Sequence, residues 1–210
     1  MKKKYFILLQ LFTLLFLIDV ANSNNLNNSK KNNEYKKYLK YNKMNDFDHH
    51  FIKYSKQYFS IAFEWKHFKS QAIAESNLNP NAKSPVGAEG IMQIMPATYR
   101  EIRNKNSYIK GSVKDPKWAI PAGIYYDSTI YNKWSPKRTF QDRIDYMMAS
   151  YNAGMGNIIN AQKKCILPEN DPQTWNCIYN TLIFITGKHS VETIGYVARI
   201  KTIKEALDER

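Results

Sequence analysis

The chain has 210 residues, 43% of them hydrophobic, with 15 Tyr, 10 Phe and 4 Trp; this suits one folded domain and excludes a disordered chain. Lys and Arg outnumber Asp and Glu by 31 to 18, a formal net charge of +13, which suits an acidic polymer, a membrane surface or a nucleic acid, or simply a solvated Lys-rich surface. Two cysteines and four histidines without ligand spacing leave no metal site or cofactor to expect.

At the N-terminus, Lys2, Lys3 and Lys4 precede an apolar run from Tyr5 to Ile18, broken only by Gln10 and Thr13. Ala21 and Ser23 then place small residues at the −3 and −1 positions of a cleavage site. This is the pattern of a secretory signal peptide over residues 1–23. A retained membrane anchor is the alternative, but the run falls short of the roughly 20 residues that span a bilayer. No cysteine lies near the site to carry a lipid. Export to a periplasm or cell envelope follows. In that oxidising setting Cys165 and Cys177 are expected to form a disulfide across an irregular loop holding Pro168, Glu169, Asn170, Asp171 and Pro172.

Residues 24–49 are rich in Asn, Lys and Tyr and poor in aliphatics, which reads as a basic linker arm ahead of a folded domain over residues 50–210. In that domain Tyr54, Tyr58, Ile61, Ala62, Trp65, Phe68 and Ala72 recur at helical spacings, and the pattern stops at Asn77–Pro80. A Pro/Gly-rich loop fills 79–90, followed by a short helix over 96–103 with Pro96 in its first turn. Further helices are predicted over 116–132, 139–152, 155–164 and 190–207. No segment alternates as a strand does, so a mainly α-helical globule is expected.

Glu75 is the first candidate for chemistry. It lies ten residues after Trp65, seven after Phe68 and three after Ala72, so all four share one helical face. Apolar surroundings disfavour the ionised carboxylate, and the negative end of the helix dipole acts in the same direction. An acid that keeps its proton near neutrality is what glycosidic bond cleavage needs. A structural hydrogen bond, or an exposed helix end, accounts for the same pattern.

The stretch Glu75–Thr98, ESNLNPNAKSPVGAEGIMQIMPAT, resembles the catalytic motif of the soluble lytic transglycosylases, whose fold is related to goose-type lysozyme. The matching positions are Glu75–Ser76, Asn79–Pro80, Ala82, Ser84, Gly87–Ala88, Gly90, Met92–Gln93, Met95–Pro96 and Thr98. Ala149–Gly154 is similar to the family's Tyr-Asn-Ala-Gly segment, and Glu192, Thr193, Tyr196 and Val197 to its C-terminal segment. Asp115–Pro116 and Ala122–Gly123 also fall in the expected places. The blocks run in order from about Phe63 to Ile200.

The resemblance implies a lysozyme-like helical domain with its catalytic glutamate, Glu75, at a helix C-terminus. It implies that Ser84 contacts the sugar and that Met92, Gln93 and Met95 line the cleft, with Gln93 on an N-acetyl group; plain core packing is the alternative for both methionines. Tyr151 and Asn152 would face Glu75, the hydroxyl on the acid or sugar and the amide on the acetamido group. Glu192 and Tyr196, one turn apart, would bind sugar or stem peptide or tie down the last helix.

Retaining glycosidases use two carboxylates about 5–5.5 Å apart. The central motif offers only Glu89 besides Glu75, at a variable position of the family pattern. A single acid/base implies a substrate-assisted route that ends in 1,6-anhydro-muramic acid without consuming water. The expected partner is the peptidoglycan glycan strand, cut by a monomer, with an envelope or secretion-apparatus protein left open as a further partner. Three rivals stand: a goose-lysozyme-like muramidase that hydrolyses the bond, a non-catalytic glycan-binding envelope component, and a nucleic-acid binder. The last lacks a recognisable motif and would not need export.

Overall fold

Each helix starts or stops where a cap or turn residue intervenes. The computed structural model describes residues 32–61, 63–134, 137–165 and 171–209; among these there is no strand, only the isolated bridges Lys83–Glu89 and Glu89–Ile94. The expected signal segment, residues 24–31, Ala62 and the loop residues Pro168, Glu169 and Asn170 lie outside the described residues. The helices are α1 (Asp48–Tyr58), α2 (Lys66–Ser76), α3 (Pro96–Lys105), α4 (Pro116–Lys133), α5 (Phe140–Ala153), α6 (Met155–Lys163), α7 (Trp175–Thr181), α8 (Ile183–Thr186) and α9 (Ser190–Asp208). Helical residues 32–38 and a 3₁₀ turn at Leu39–Lys43 precede them.

Helix starts follow local chemistry. Asp115 accepts the Lys117 N–H at 3.0 Å with Pro116 at the first position of α4. Thr139 does the same for Asp142 at the start of α5. The core is closed by α9 lying along α2 and α5, α1 along α4, and α4 against α5. Phe51, Phe68, Ile73, Ile120, Ile124, Met147 and Ile203 are buried there, each contributing about 1.5–3 kcal/mol by leaving water. Among the described residues no helix is long and apolar enough to cross a membrane.

Two expectations are corrected. The periodicity from Tyr54 to Ala72 is not one helix: the chain breaks between α1 and α2, with Ser60 at φ 141° and Ile61 84% exposed. The cause is an aromatic cluster in which Phe59 lies 4.4 Å from Phe63 and 4.9 Å from Phe68, centre to centre. Nine positions of continuous helix would hold Phe59 and Phe68 about 13 Å apart. Folding back lets the three rings pack together, with Phe59 and Phe63 also against Tyr131.

The second correction concerns the arm. Over residues 32–49 it belongs to the folded body, because Tyr38 and Tyr41 are buried in the core. Asn42 donates to the Ala206 carbonyl at 2.8 Å, and the buried Lys69 amine pairs with Asp48 at 2.7 Å. Tyrosine supplies ring area with a polar tip, so a segment poor in aliphatics still packs. Cys165 and Cys177 are joined with 5.9 Å between their Cα atoms, within the ordinary disulfide range, and tie the end of α6 to α7.

Candidate active site

Glu75 is the penultimate residue of α2. The helix stops because Asn77 turns left-handed, at φ 56°, and its N–H caps the Ala72 and Ile73 carbonyls; asparagine adopts that conformation more readily than most residues. Ser76 then staples the helix end. Its hydroxyl donates to the Ile91 carbonyl at 2.8 Å and accepts the Asn79 N–H at 3.1 Å. From the other side, Tyr41 donates to Asn77 Oδ1 at 2.8 Å. The backbone carrying Glu75 is thus fixed from both flanks.

The loop after α2 is held by its own bonds. Ser84 Oγ accepts the Ala88 N–H at 2.9 Å, and Glu89 and Ile94 exchange backbone bonds at 3.1 and 3.0 Å. Gly90 sits at φ 79°, where a Cβ would lie 2.0 Å from the Val113 carbonyl oxygen; only glycine lets the loop approach that strand of chain. Gln93, at φ 46°, donates its amide to the Gly90 and Ala82 carbonyls at 2.9 and 3.1 Å. Met92 is fully buried with its side chain against Gly123, whereas Met95 is exposed. Glu89 is turned to Lys83, 3.4 Å away.

The acid itself meets the last helix. Tyr196, buried in α9, donates its hydroxyl to Glu75 Oε1 at 2.5 Å. Burial pushes the Glu75 carboxyl up to about 7; the Tyr196 hydroxyl and the nearby Arg199 charge pull it down, and Glu192 pushes it up again. Tyr151, one of the residues expected to reach the acid, gives its hydroxyl instead to the Met92 carbonyl at 2.7 Å. Its ring meets Tyr126 edge-on at 5.5 Å. Asn152 Oδ1 accepts the Thr193 hydroxyl at 2.8 Å, and the two residues line a 350 Å³ surface hollow with His189 and Glu192. A larger hollow of 480 Å³, lined by His67, Phe140 and Lys201 among others, includes none of these groups.

The fold therefore brings together Glu75, Tyr196, Arg199 and Glu192, with Tyr151 close enough for its hydroxyl to respond to the Glu75 charge. Ser84, Gln93 and Met95 belong to the loop, and no bond from them to Glu75 is formed. Arg199 escaped the sequence reading, although it lies one helical turn from Tyr196 and Glu192 two turns from it. Asp127 and Gln71, both wholly buried and bonded at 3.3 Å, escaped it too. The only available signal was two polar residues inside apolar helical runs.

Residues 51–168 match the family model described as the transglycosylase SLT domain. The chain belongs to that family. Among its relatives, the membrane-bound lytic murein transglycosylase F of Shewanella sediminis is 29% identical over 130 residues, 62% of this chain and 26% of the relative. Its counterpart in Vibrio vulnificus is 28% identical over 130 residues, 62% of this chain and 23% of the relative. The chain thus spans about a quarter of the length of these curated relatives. An inactive mutant of the lytic transglycosylase Slt from Pseudomonas aeruginosa superposes with a TM-score of 0.57 at 22% identity, covering 73% of this chain and 22% of that one. The 70-kDa soluble lytic transglycosylase of Escherichia coli gives 0.54 at 26% identity, covering 74% and 23%. The expected mainly helical, lysozyme-like fold is the one observed in this SLT-family chain.

Proposed function

We propose that this protein cleaves the glycan strands of bacterial peptidoglycan as a lytic transglycosylase, with Glu75 as its acid/base. The observation that carries the reading is a single half-buried carboxyl, held near 7, with a tyrosine hydroxyl on one oxygen. Such a group is protonated often enough at neutral pH to donate and is basic enough, once ionised, to take a proton back.

Glu75 protonates the leaving glycosidic oxygen, and the C1–O bond breaks. The acetamido oxygen of the muramic residue stabilises the cation-like centre. The Glu75 carboxylate then removes the proton of the sugar's own C6 hydroxyl, whose oxygen closes onto C1. Glu75 ends as it began, and no water enters. Asp127 is not a second flanking carboxylate, because it is wholly buried, and Glu89 is occupied by Lys83.

Gln93 and Asn152 are the groups that would bind N-acetyl groups of the glycan. Ser84, Met95 and Glu192 complete the binding surface; Met92 and Tyr151 support it through the bond between them, and Tyr196, expected there too, is buried and acts through its bond to Glu75. The protein acts as a monomer in the cell envelope, a placing supported by the export pattern of residues 1–23 and by the Cys165–Cys177 bond.

A goose-lysozyme-like hydrolase would use the same acid on water. Mass spectrometry of digested peptidoglycan separates the two: anhydro-muramic ends are expected, and reducing ends without them would assign the hydrolase. No cleavage by the folded chain would leave a glycan-binding role.

A further inference from the structure

A second carboxyl lies deeper in the fold than Glu75. Asp127 occupies the middle of α4 with 0% exposure, and its Oδ1 accepts one hydrogen bond, from Gln71 Nε2 at 3.3 Å. Gln71 is equally buried and precedes Glu75 by one helical turn on α2. The remaining oxygens of the pair, Asp127 Oδ2 and Gln71 Oε1, are both buried and both lack a donor.

Two leftover acceptors in one bonded pair amount to a shortage of one proton. An ionised carboxylate only accepts, so it would leave both oxygens orphaned and a bare charge buried, a combination that costs several kcal/mol. No cation is paired with Asp127; the groups that act on it are Gln71 and the like charge of Glu75. A proton on Oδ2 changes this. The acid then donates to Gln71 Oε1 while Gln71 donates to Oδ1, and the acid–amide ring satisfies every polar atom of the pair. Burial and the Glu75 charge both push the Asp127 carboxyl far above the usual carboxylate range, in agreement with the ring.

We propose that Asp127 is held as a neutral acid that donates its proton to Gln71 Oε1, and that this acid–amide pair is a positioning element seating the Glu75 turn of α2 on α4. Its neutrality matters for turnover. Glu75 must become an anion after giving up its proton, and a second anion within electrostatic reach would oppose that step. The titratable groups around the two carboxyls are Tyr126 beside Asp127 on α4, Tyr151 on α5, and Tyr196, Arg199 and Glu192 on α9. The positioning half of the proposal rests on Glu75 being the acid/base; the protonation half does not.

The test uses the full chain labelled with ¹³C at the aspartate carboxyls. One resonance should keep the shift of a protonated acid from about pH 5 to about pH 8, where ordinary aspartates are ionised, and Asp127→Asn should remove it. An Asp127 signal that titrates with the surface aspartates overturns the protonation. Asp127→Leu leaves the Gln71 amide unpaired. It should cut turnover on insoluble peptidoglycan roughly tenfold, the loss expected from a small displacement of a catalytic group. Asp127→Asn, whose amide can make both bonds of the ring, should restore turnover and keep the wild-type pH profile. An alkaline limb displaced to lower pH in Asp127→Asn means that a negative charge was removed, and overturns the neutrality. Wild-type turnover in Asp127→Leu overturns the positioning role. If the wild-type chain itself releases no glycan, the reading of Glu75 fails, while the carboxyl resonance still decides the state of Asp127.

Discussion

Glu75→Gln should abolish glycan cleavage and also make the folded protein more stable at neutral and alkaline pH. The Glu75 carboxyl holds its proton up to about 7 in the fold, against an ordinary value of 4.5. Between those values the folded protein keeps a proton that the unfolded chain has lost, so stability falls as pH rises. The contribution is whole below about 4.5 and is gone once pH passes about 7. The gap corresponds to about 3 kcal/mol at 1.36 kcal/mol per pH unit, and the partial exposure of Glu75 brings the expected effect to about 1–3 kcal/mol. Glutamine carries no charge in either state and still accepts from Tyr196. The variant and the wild type should therefore match near pH 4 and diverge toward pH 8, the variant being the more stable. Urea denaturation at a series of pH values measures the divergence, and peptidoglycan digestion measures the activity. General acid–base catalysis supplies about 10²–10⁴-fold, and the proposed route asks one residue for both steps. Parallel stability curves, or more than about a tenth of wild-type turnover, would refute the assignment.

Other expectations follow from single contacts. Tyr196→Phe removes the hydroxyl that favours the Glu75 carboxylate, so the alkaline limb of activity should move up by about one pH unit, given about 1.5 kcal/mol for a bond to a charged group; an unmoved limb in the pH–rate profile contradicts this. Gly90→Ala must place a Cβ 2.0 Å from the Val113 oxygen at φ 79°, so stability should fall by about 2–4 kcal/mol and activity with it; a thermal melt unchanged from wild type would show that the loop tolerates the shift. Cys165 and Cys177, 12 positions apart, should resist alkylation until reduced, and Cys165→Ser should cost about 3 kcal/mol for the loop no longer closed. Alkylation of both thiols without reductant, read by intact mass, excludes the bond.

The parts of the fold legible in the sequence are those governed by neighbours along the chain. Pro116 behind Asp115 and Phe140 behind Thr139 start α4 and α5 within a residue of the predicted starts at 116 and 139. The break between α1 and α2 was hidden because apolar spacing continues through it; what ends α1 is a preference of Phe59 for Phe68, which spacing cannot express. The arm was hidden because a scarcity of aliphatics reads as a linker, while here tyrosine rings supply the buried area. At the site, Glu75 and Tyr196 were both legible as candidates, but their bond was not, since it joins residues 121 positions apart. Tyr151 was legible as a site residue, and its partner, a backbone carbonyl at Met92, was not.

That long separation bears on how the proposed acid/base is held near neutrality. Burial alone would hold the proton on Glu75 and leave a poor donor. The hydroxyl of Tyr196 and the charge of Arg199, both from α9, offset the burial and leave the group near neutrality. Glu192, two turns before Arg199 on the same helix, pushes the other way. Burial is the largest influence on the acid, and the groups by which α9 lies against α2 set how far it is offset. Contacts further along α9 add to that packing: Lys66 with Asp208 at 2.9 Å, Lys204 with Glu64 at 2.6 Å, and Asn42 on the Ala206 carbonyl. A substitution there is expected to shift the titration of Glu75 by moving one hydroxyl relative to one carboxyl, so the segment before α1 bears on the state of that group.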